Sequence, residues 1–570
     1  MFSVKSVLST LRRNKGIVFF SLTIIFWSIV FFLIWSRMLV LEKDGLYAGW
    51  VNVWGDWSSH ISYTTYLATQ NIFPPQFPIL SGHVLSYPFG ADFVSAVLLR
   101  LGVSLVPAML IPSFLLSLGV VVTLFRFYKH LLVFPRAAAL GVFLFLFNGG
   151  LGFLWFLSDL HLGGWGIISR LPREYTHIEQ PANIEWLNII TSELVPQRGF
   201  LLGLPIALLI LTFLWQIYRG SIKTRLLHIF VAGSATGLLT IIHMHSFLVV
   251  SSVALWTFFL ITLREKSLKV ALWYFIPQAV LAATIIQVFF PQLGASFTAF
   301  NPGWLAVQTR EGQLLFENMN GFAILGNSII FWIKNAGIML FLPVVYAVWI
   351  FLMMKKKSDS RHLLIWSLPL FGIFIIANLW TFQPYTWDNT KFLTYWWVAA
   401  SGFGALLLDR LLSGNFGLRF ASIILFFFAI FAGALDVLQI TQYDQQKLRM
   451  LSQEDLELAA WVKKQTPKDS IFLTADNHDN PIAMLTGRSV VLGFQGWLWT
   501  FGIDTGKRQA QVESIYAGRD ANTLLSILDV NYVVIGSKER IRYSDLNEEF
   551  FETGYPMVYQ LGETRIFTVP

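Results

Sequence analysis

Long apolar runs recur along the whole chain, and no other feature limits its folding so severely. Stretches with few or no charges fall at roughly 16–38, 104–125, 137–158, 200–217, 226–242, 246–263, 270–290, 328–352, 362–380, 392–408 and 417–439. A helix needs about 20 predominantly apolar residues to cross the hydrocarbon of a bilayer. The pattern therefore predicts a polytopic α-helical membrane protein with about eleven transmembrane helices. Composition agrees: 55% of the 570 residues are hydrophobic and 13% are charged, where soluble domains carry about 25% charged residues. The net charge of +8 reports orientation before it reports any partner, so no nucleic-acid function is read from it.

The chain has no cysteine. Disulfides, thiolate nucleophiles, Cys-ligated zinc and iron–sulfur clusters are excluded with it. Lys5, Arg12, Arg13 and Lys15 precede an uncharged stretch from Gly16 to Ser36, too long for a signal-peptide core and without a small-residue cleavage site, so it reads as an uncleaved first helix. With that N-terminus cytoplasmic, the short inward connections hold Arg126, Lys129, Arg136, Arg219, Lys223, Arg225, Arg264, Lys266, Lys269, Lys355, Lys356, Lys357, Arg361, Arg410 and Arg419. The longer outward segments hold only Lys43, Arg170, Arg173, Arg198, Arg310 and Lys391. The asymmetry predicts a plasma (inner) membrane protein with a cytoplasmic N-terminus and an exoplasmic C-terminus.

Two domains are expected. Residues 1–440 form the transmembrane domain, with a large first exoplasmic loop at 41–91, and residues 441–570 form a soluble exoplasmic α/β domain. The second assignment rests on alternation of helix-like EDLELAAWVKKQ (454–465) and DANTLLSILDV (520–530) with strand-like IFLTAD (471–476), SVVLGF (489–494) and NYVVIG (531–536). Such alternation predicts a largely parallel sheet, closed by a hairpin at 557–569 that turns at Gly562-Glu563.

Chemistry-bearing residues gather on the outward segments. The first loop contains Asp44, Asp56, Asp92, His60 and His83. Asp56 stands just before an expected helix from Trp57 to Thr69, where an N-capping role would also explain it. His60, four positions on, would share its helical face. An acidic residue in the first exoplasmic loop after a single N-terminal helix, followed by the Pro-rich Pro74-Pro75-Gln-Phe-Pro78 and by YPFGAD (87–92), resembles the GT-C superfamily of integral membrane glycosyltransferases. That superfamily includes protein O-mannosyltransferases, oligosaccharyltransferases and lipid A aminoarabinose transferases. The resemblance covers about 1–440 in topology and points to a bacterial branch.

What the resemblance implies is a GT-C-like glycosyltransferase that moves a sugar from a polyprenyl-phosphate-linked donor to a glycan, lipid or protein acceptor outside the cytoplasm, with Asp56 as catalytic base. The chemistry is consistent: inverting transfer asks one carboxylate to take the acceptor's proton, and a phosphate leaving group needs no general acid. Cations should then flank the phosphate, and the outward candidates are Arg170, Arg173, Arg198, Lys334 and Lys391, the last beside Asp388 and Asn389. Neutralisation of nearby acids, or snorkelling for Lys334, explains the same cations. His243 and His245 lie in an outward turn, and with Asp56 and His60 would make a divalent-metal set; hydrogen-bonded interfacial histidines are the plainer reading. In the C-terminal domain, Asp476 to Asn480 and Gly493 to Trp497 follow strand ends, where α/β sheets bind ligands, and Trp497 and Trp499 offer stacking surfaces for a glycan. Two other functions fit the composition: a transporter or flippase of lipid-linked glycans, and a non-catalytic membrane scaffold. The one-sided clustering of polar residues and the lack of a half-repeat count against the first; the second leaves Asp56 and the outward cations unexplained.

Overall fold

The computed structural model describes residues 15–220, 225–291, 298–309, 313–315, 320–353 and 359–570. Lys5, Arg12, Arg13, Lys223, Arg310, Lys355, Lys356 and Lys357 lie outside the described residues. The chain divides into two compact units, one of residues 1–35, 113–282 and 297–445, the other of residues 36–112, 283–296 and 446–570.

The first unit is the membrane-spanning one. Among the described residues of the whole chain, eight helices are long and apolar enough to cross a membrane: Lys15–Trp35, Leu105–Leu132, Arg198–Arg219, Met244–Glu265, Lys269–Phe289, Gly321–Leu340, Asp359–Leu379 and Phe416–Gln439. The other segments expected to span are helical too, but depart from that pattern for identifiable reasons. Leu226–Ile242 is apolar with 17 residues. The expected span 137–158 is cut short: Pro135–Leu146 ends at Phe147, and a second helix starts at Phe153. Between them lies Asn148-Gly149-Gly150-Leu151-Gly152, and a Cβ on Gly152 would stand 1.6 Å from the Tyr175 carbonyl oxygen. The backbone approach there requires glycine. The expected span 328–352 is likewise divided, at Gly337, whose φ of 54° is left-handed.

Thr390–Leu412 is a 23-residue helix whose residues from Thr390 to Leu406 are all buried. It packs against Pro135–Leu146, Leu342–Met353, Asp359–Leu379 and Phe416–Gln439. A helix surrounded by protein needs no lipid-compatible surface, so it tolerates Lys391, Thr394, Ser401 and Asp409.

The second unit is built around a five-stranded sheet. Ile471–Leu473 lies between Ser489–Val490 and Tyr532–Ile535 and is parallel to both; Thr564–Thr568 then pairs antiparallel with Tyr532–Ile535 and with Met557–Leu561. The sheet is thus mixed: the parallel pairs come from the helix–strand alternation, and the antiparallel edge comes from the C-terminal hairpin. Segment 36–112, which includes the expected exoplasmic loop at 41–91, contributes to this unit's core. Tyr63, Phe77, Ile79, Leu80 and Leu85 are buried with Phe472, Val490, Val533 and Ile566. Full burial of such side chains contributes about 1.5–3 kcal/mol each. Backbone bonds tie the segment down as well: Val490 N–H donates to Pro78 O, Ser81 N–H to Val490 O and Gly493 N–H to Ile79 O. Gly45–Ala48 forms the middle strand of a second sheet, between Leu39–Glu42 and Leu448–Ser452.

Candidate functional site

Asp56 belongs to a longer helix than the sequence suggests. The helix runs from Val51 to Thr69 with Trp50 as its cap residue, so Asp56 falls in the second turn and is not an N-cap. Val51 to Trp54 extend the helix N-terminally, and Gly55 is accommodated inside it, with nothing within 4 Å of the place its Cβ would occupy. Nearly every residue from Trp57 to Tyr66 is buried, which fixes the helix rigidly, while Asp56 itself is half-buried.

His60 does not serve Asp56. Its Nδ1–H donates to both carboxylate oxygens of Asp92, at 2.9 and 3.1 Å, and both residues are buried. Asp92 is placed there by the Gly90–Arg100 helix, which packs along Val51–Thr69. Arg100, in the last turn of this helix, donates to Ala68 O and to Asn71 Oδ1.

An aromatic cluster is built on Trp54 of the Val51–Thr69 helix. Trp54 stacks on His478 with ring centroids 4.3 Å apart and planes 19° from parallel; Trp497 and Phe494 lie 4.7 and 5.2 Å from the same imidazole. His478 Nε2–H donates to the Gly55 carbonyl oxygen at 2.8 Å, one residue before Asp56. Burial pushes the His478 pKa below the usual imidazole value, against the opposing effects of that carbonyl and of Asp479. The ring is therefore neutral at physiological pH. Asp476 anchors the loop that carries Phe494 and Trp497: it accepts from Arg542 Nε at 2.5 Å, from Arg542 Nη2 at 3.1 Å and from Gln495 Nε2 at 2.6 Å. Gln495 Oε1 in turn accepts from Thr505 Oγ1. The two strand-end loops singled out in the sequence thus meet at His478 and Trp497, whereas Trp499 is exposed. The part of Trp54 and His478 in this cluster was not apparent from sequence; the only trace was an aromatic residue two positions before the acid.

In the spanning unit, polar residues gather at the start of Thr390–Leu412. Lys391 Nζ donates to Asp388 Oδ1 at 2.7 Å, and Lys391 is buried. His245 lies against Phe392, the residue after Lys391, with ring centroids 4.8 Å apart, and stacks on His243 at 5.1 Å. His245 Nε2–H donates to Gln383 Oε1. His243 Nδ1 accepts from the Ser246 backbone N–H, and the Ser246 hydroxyl lies 2.5 Å from the Tyr395 hydroxyl. Asn389 plays a structural part, its Nδ2 donating to the carbonyl oxygens of Ala377 and Trp380.

The remaining cations are dispersed over this unit. Arg173 pairs with Asp159 through Nε at 3.1 Å and Nη2 at 3.2 Å. Lys334 Nζ donates to the Ala182 carbonyl oxygen, which ties down a loop. Arg198 is buried and donates to Ser113 Oγ at 3.1 Å. Arg170 is exposed. Among the described residues, no three His, Asp or Glu side chains are grouped so as to hold a metal ion. Each histidine of the expected set has a hydrogen-bond partner: His60 is engaged by Asp92, His243 by Ser246 and His245 by Gln383.

No family model matches the sequence, and no curated protein matches it. Among solved structures, the chain is similar to the oligosaccharyltransferase AglB of Archaeoglobus fulgidus in complex with an inhibitory peptide and a dolichol-phosphate. The identity is 12%, 98% of this chain and 74% of that chain are covered, and the TM-score is 0.47. It is also similar to ArnT of Cupriavidus metallidurans bound to undecaprenyl phosphate, at 10% identity over 97% of this chain and 98% of that chain, with a TM-score of 0.48. The apo state of the same ArnT gives 10% identity, 98% coverage of each chain and a TM-score of 0.49.

Proposed function

We propose that this protein is a membrane glycosyltransferase that moves a sugar from a polyprenyl-phosphate-linked donor to an acceptor outside the cytoplasm, with Asp56 as general base. The observation that carries the reading is the setting of Asp56: a half-buried carboxylate on a rigidly packed helix that also carries Trp54, on which His478 stacks. Aromatic faces stack against the apolar faces of sugar rings, and a carboxylate fixed on a packed helix is suited to take one proton from a bound hydroxyl or amide.

The step balances with a single carboxylate. The acceptor atom bonds to the anomeric carbon while its proton passes to Asp56. The bond from that carbon to the phosphate oxygen breaks, and its electron pair leaves with the polyprenyl phosphate, which is too weak a base to need protonation. Recognition of the phosphate is assigned within the spanning unit to Lys391, oriented by Asp388, with Arg170 and Arg173 as further cations. His243 and His245 extend that polar cluster, whereas Asn389, Lys334 and Arg198 act as structural ties.

Replacing Asp56 by Asn keeps shape and polarity but removes the base. In membranes supplied with radiolabelled polyprenyl-phosphate sugars, Asp56→Asn should lower transfer by about 10²- to 10⁴-fold, the usual worth of a general base. Transfer that is unchanged in Asp56→Asn overturns the mechanism. Movement of labelled donor across the membrane without any transfer would favour a flippase instead.

A further inference from the structure

The spanning unit holds a second feature that owes nothing to Asp56 or to the Lys391 cluster. The starts of Lys15–Trp35 and Pro135–Leu146 and the end of Thr390–Leu412 surround an open cavity of about 900 Å³. Its lining has two characters. Lys15, Arg136 and Arg410 stand around it with one acid, Asp409. Val18, Phe19, Phe134, Tyr346 and Leu406 supply apolar walls.

The charges are not equivalent. Arg136 holds Asp409, with Nε on Oδ1 at 2.5 Å and Nη2 on the Asp409 carbonyl oxygen at 2.9 Å, and also donates to Ser413 Oγ. That pair is self-neutralising. Lys15 and Arg410 are exposed and leave the cavity with two positive charges beyond it; the Arg410 guanidinium lies over the Trp349 ring, 3.9 Å from its centroid, which keeps it extended at the rim. Phe134 is 57% exposed beside them.

An occupant must therefore carry negative charge at one end and apolar surface at the other. A soluble anion would leave Phe19, Phe134 and Leu406 against water. A zwitterionic lipid would bring its own cation to Lys15 and Arg410. We infer that the cavity binds an anionic phospholipid, with its phosphate between Lys15 and Arg410 and its acyl chains along Val18, Phe19 and Leu406. Basic pockets between transmembrane helices take lipid headgroups by this combination of fixed cations and a hydrocarbon-lined exit.

The test uses the full-length protein in detergent, stripped of lipid and titrated with dioleoyl phosphatidylglycerol or dioleoyl phosphatidylcholine, with bound lipid counted by native mass spectrometry. Phosphatidylglycerol should be retained in preference to phosphatidylcholine, and Lys15→Gln and Arg410→Gln should each weaken its retention by about fivefold, the effect of one basic residue at a membrane surface. Both positions are exposed, so neither change removes a packing contact from the core; Arg136→Gln is avoided because Arg136 holds Asp409. Equal retention of the two lipids, or retention unaltered in the Lys15→Gln/Arg410→Gln protein, overturns the inference. Displacement of phosphatidylglycerol by inorganic phosphate alone also overturns it and assigns the cations to a soluble phosphate.

Discussion

His478 is held neutral by its burial among Trp54, Phe494 and Trp497, while the same residue in an unfolded chain takes up a proton near pH 6.5. Its folded pKa is depressed, so its contribution to stability is complete above that pH and is lost as the pH falls toward the lowered folded value. His478→Phe keeps the stacking and removes the titration. The variant should therefore lose part of the decline in thermal midpoint that the wild-type protein undergoes between about pH 7.5 and pH 5.5. Equal declines in the two proteins, followed by scanning fluorimetry, would show that the ring does not titrate across folding. At this scale sequence was a partial guide. Asp56 stood out, but helical spacing, which puts residues 56 and 60 on one face, says nothing of Asp92 arriving from another helix to engage His60. His478 lies in a strand-end loop that sequence singles out, but its stacking on Trp54 left no local signal, since the two lie more than four hundred positions apart.

Elements in the spanning unit are held by a few buried polar side chains. Asp436, on the Phe416–Gln439 helix, accepts from the backbone N–H of Tyr175 at 2.5 Å and of Thr176 at 2.9 Å, and from Thr176 Oγ1 at 2.5 Å. Asn335 Oδ1 accepts from the backbone N–H of Glu185 and Trp186, and Asn188 Nδ2 donates to the carbonyl oxygens of Leu146 and Asn148. Between them they pin the long segment from Tyr175 to Asn188. Asp436→Ala leaves three buried donors without acceptor, at a cost of about 1–3 kcal/mol each. Limited proteolysis should then cut within 159–199 at least about tenfold faster than in the wild type, because cleavage follows the population of the opened segment. An unaltered cleavage rate would mean that Asn335 and Asn188 suffice. Apolar runs made the helices legible, since span length is a local property. The breaks at Gly152 and Gly337 were not, because each depends on a backbone passing close by from elsewhere. An acid in an otherwise apolar run was the signal available for Asp436, and such residues usually mark a fixed partner within the bundle.

For the whole molecule, sequence separates membrane from soluble composition but does not reveal which segments share a core. Tyr63 and Phe77 pack with Phe472 and Val533 across some four hundred positions, and such distant contacts leave no trace in local periodicity. Orientation, in contrast, is written in the helix ends. Arg126 and Lys129 close Leu105–Leu132, Arg219 closes Arg198–Arg219, Arg264 closes Met244–Glu265 and Arg410 closes Thr390–Leu412; Lys15, Arg136, Lys269 and Arg419 sit at or near the starts of helices that run the other way. The opposite ends carry few cations, notably Arg198 and Lys391, and both are buried within the protein. Cations in short connections resist translocation, so the basic ends should be cytoplasmic and the unit containing residues 446–570 should lie outside. An alkaline phosphatase fused after Gln445 should accordingly be active, and one fused after Arg264 inactive. The reverse pair of results would place Asp56 and the aromatic cluster in the cytoplasm, where the proposed exoplasmic acceptor could not reach them.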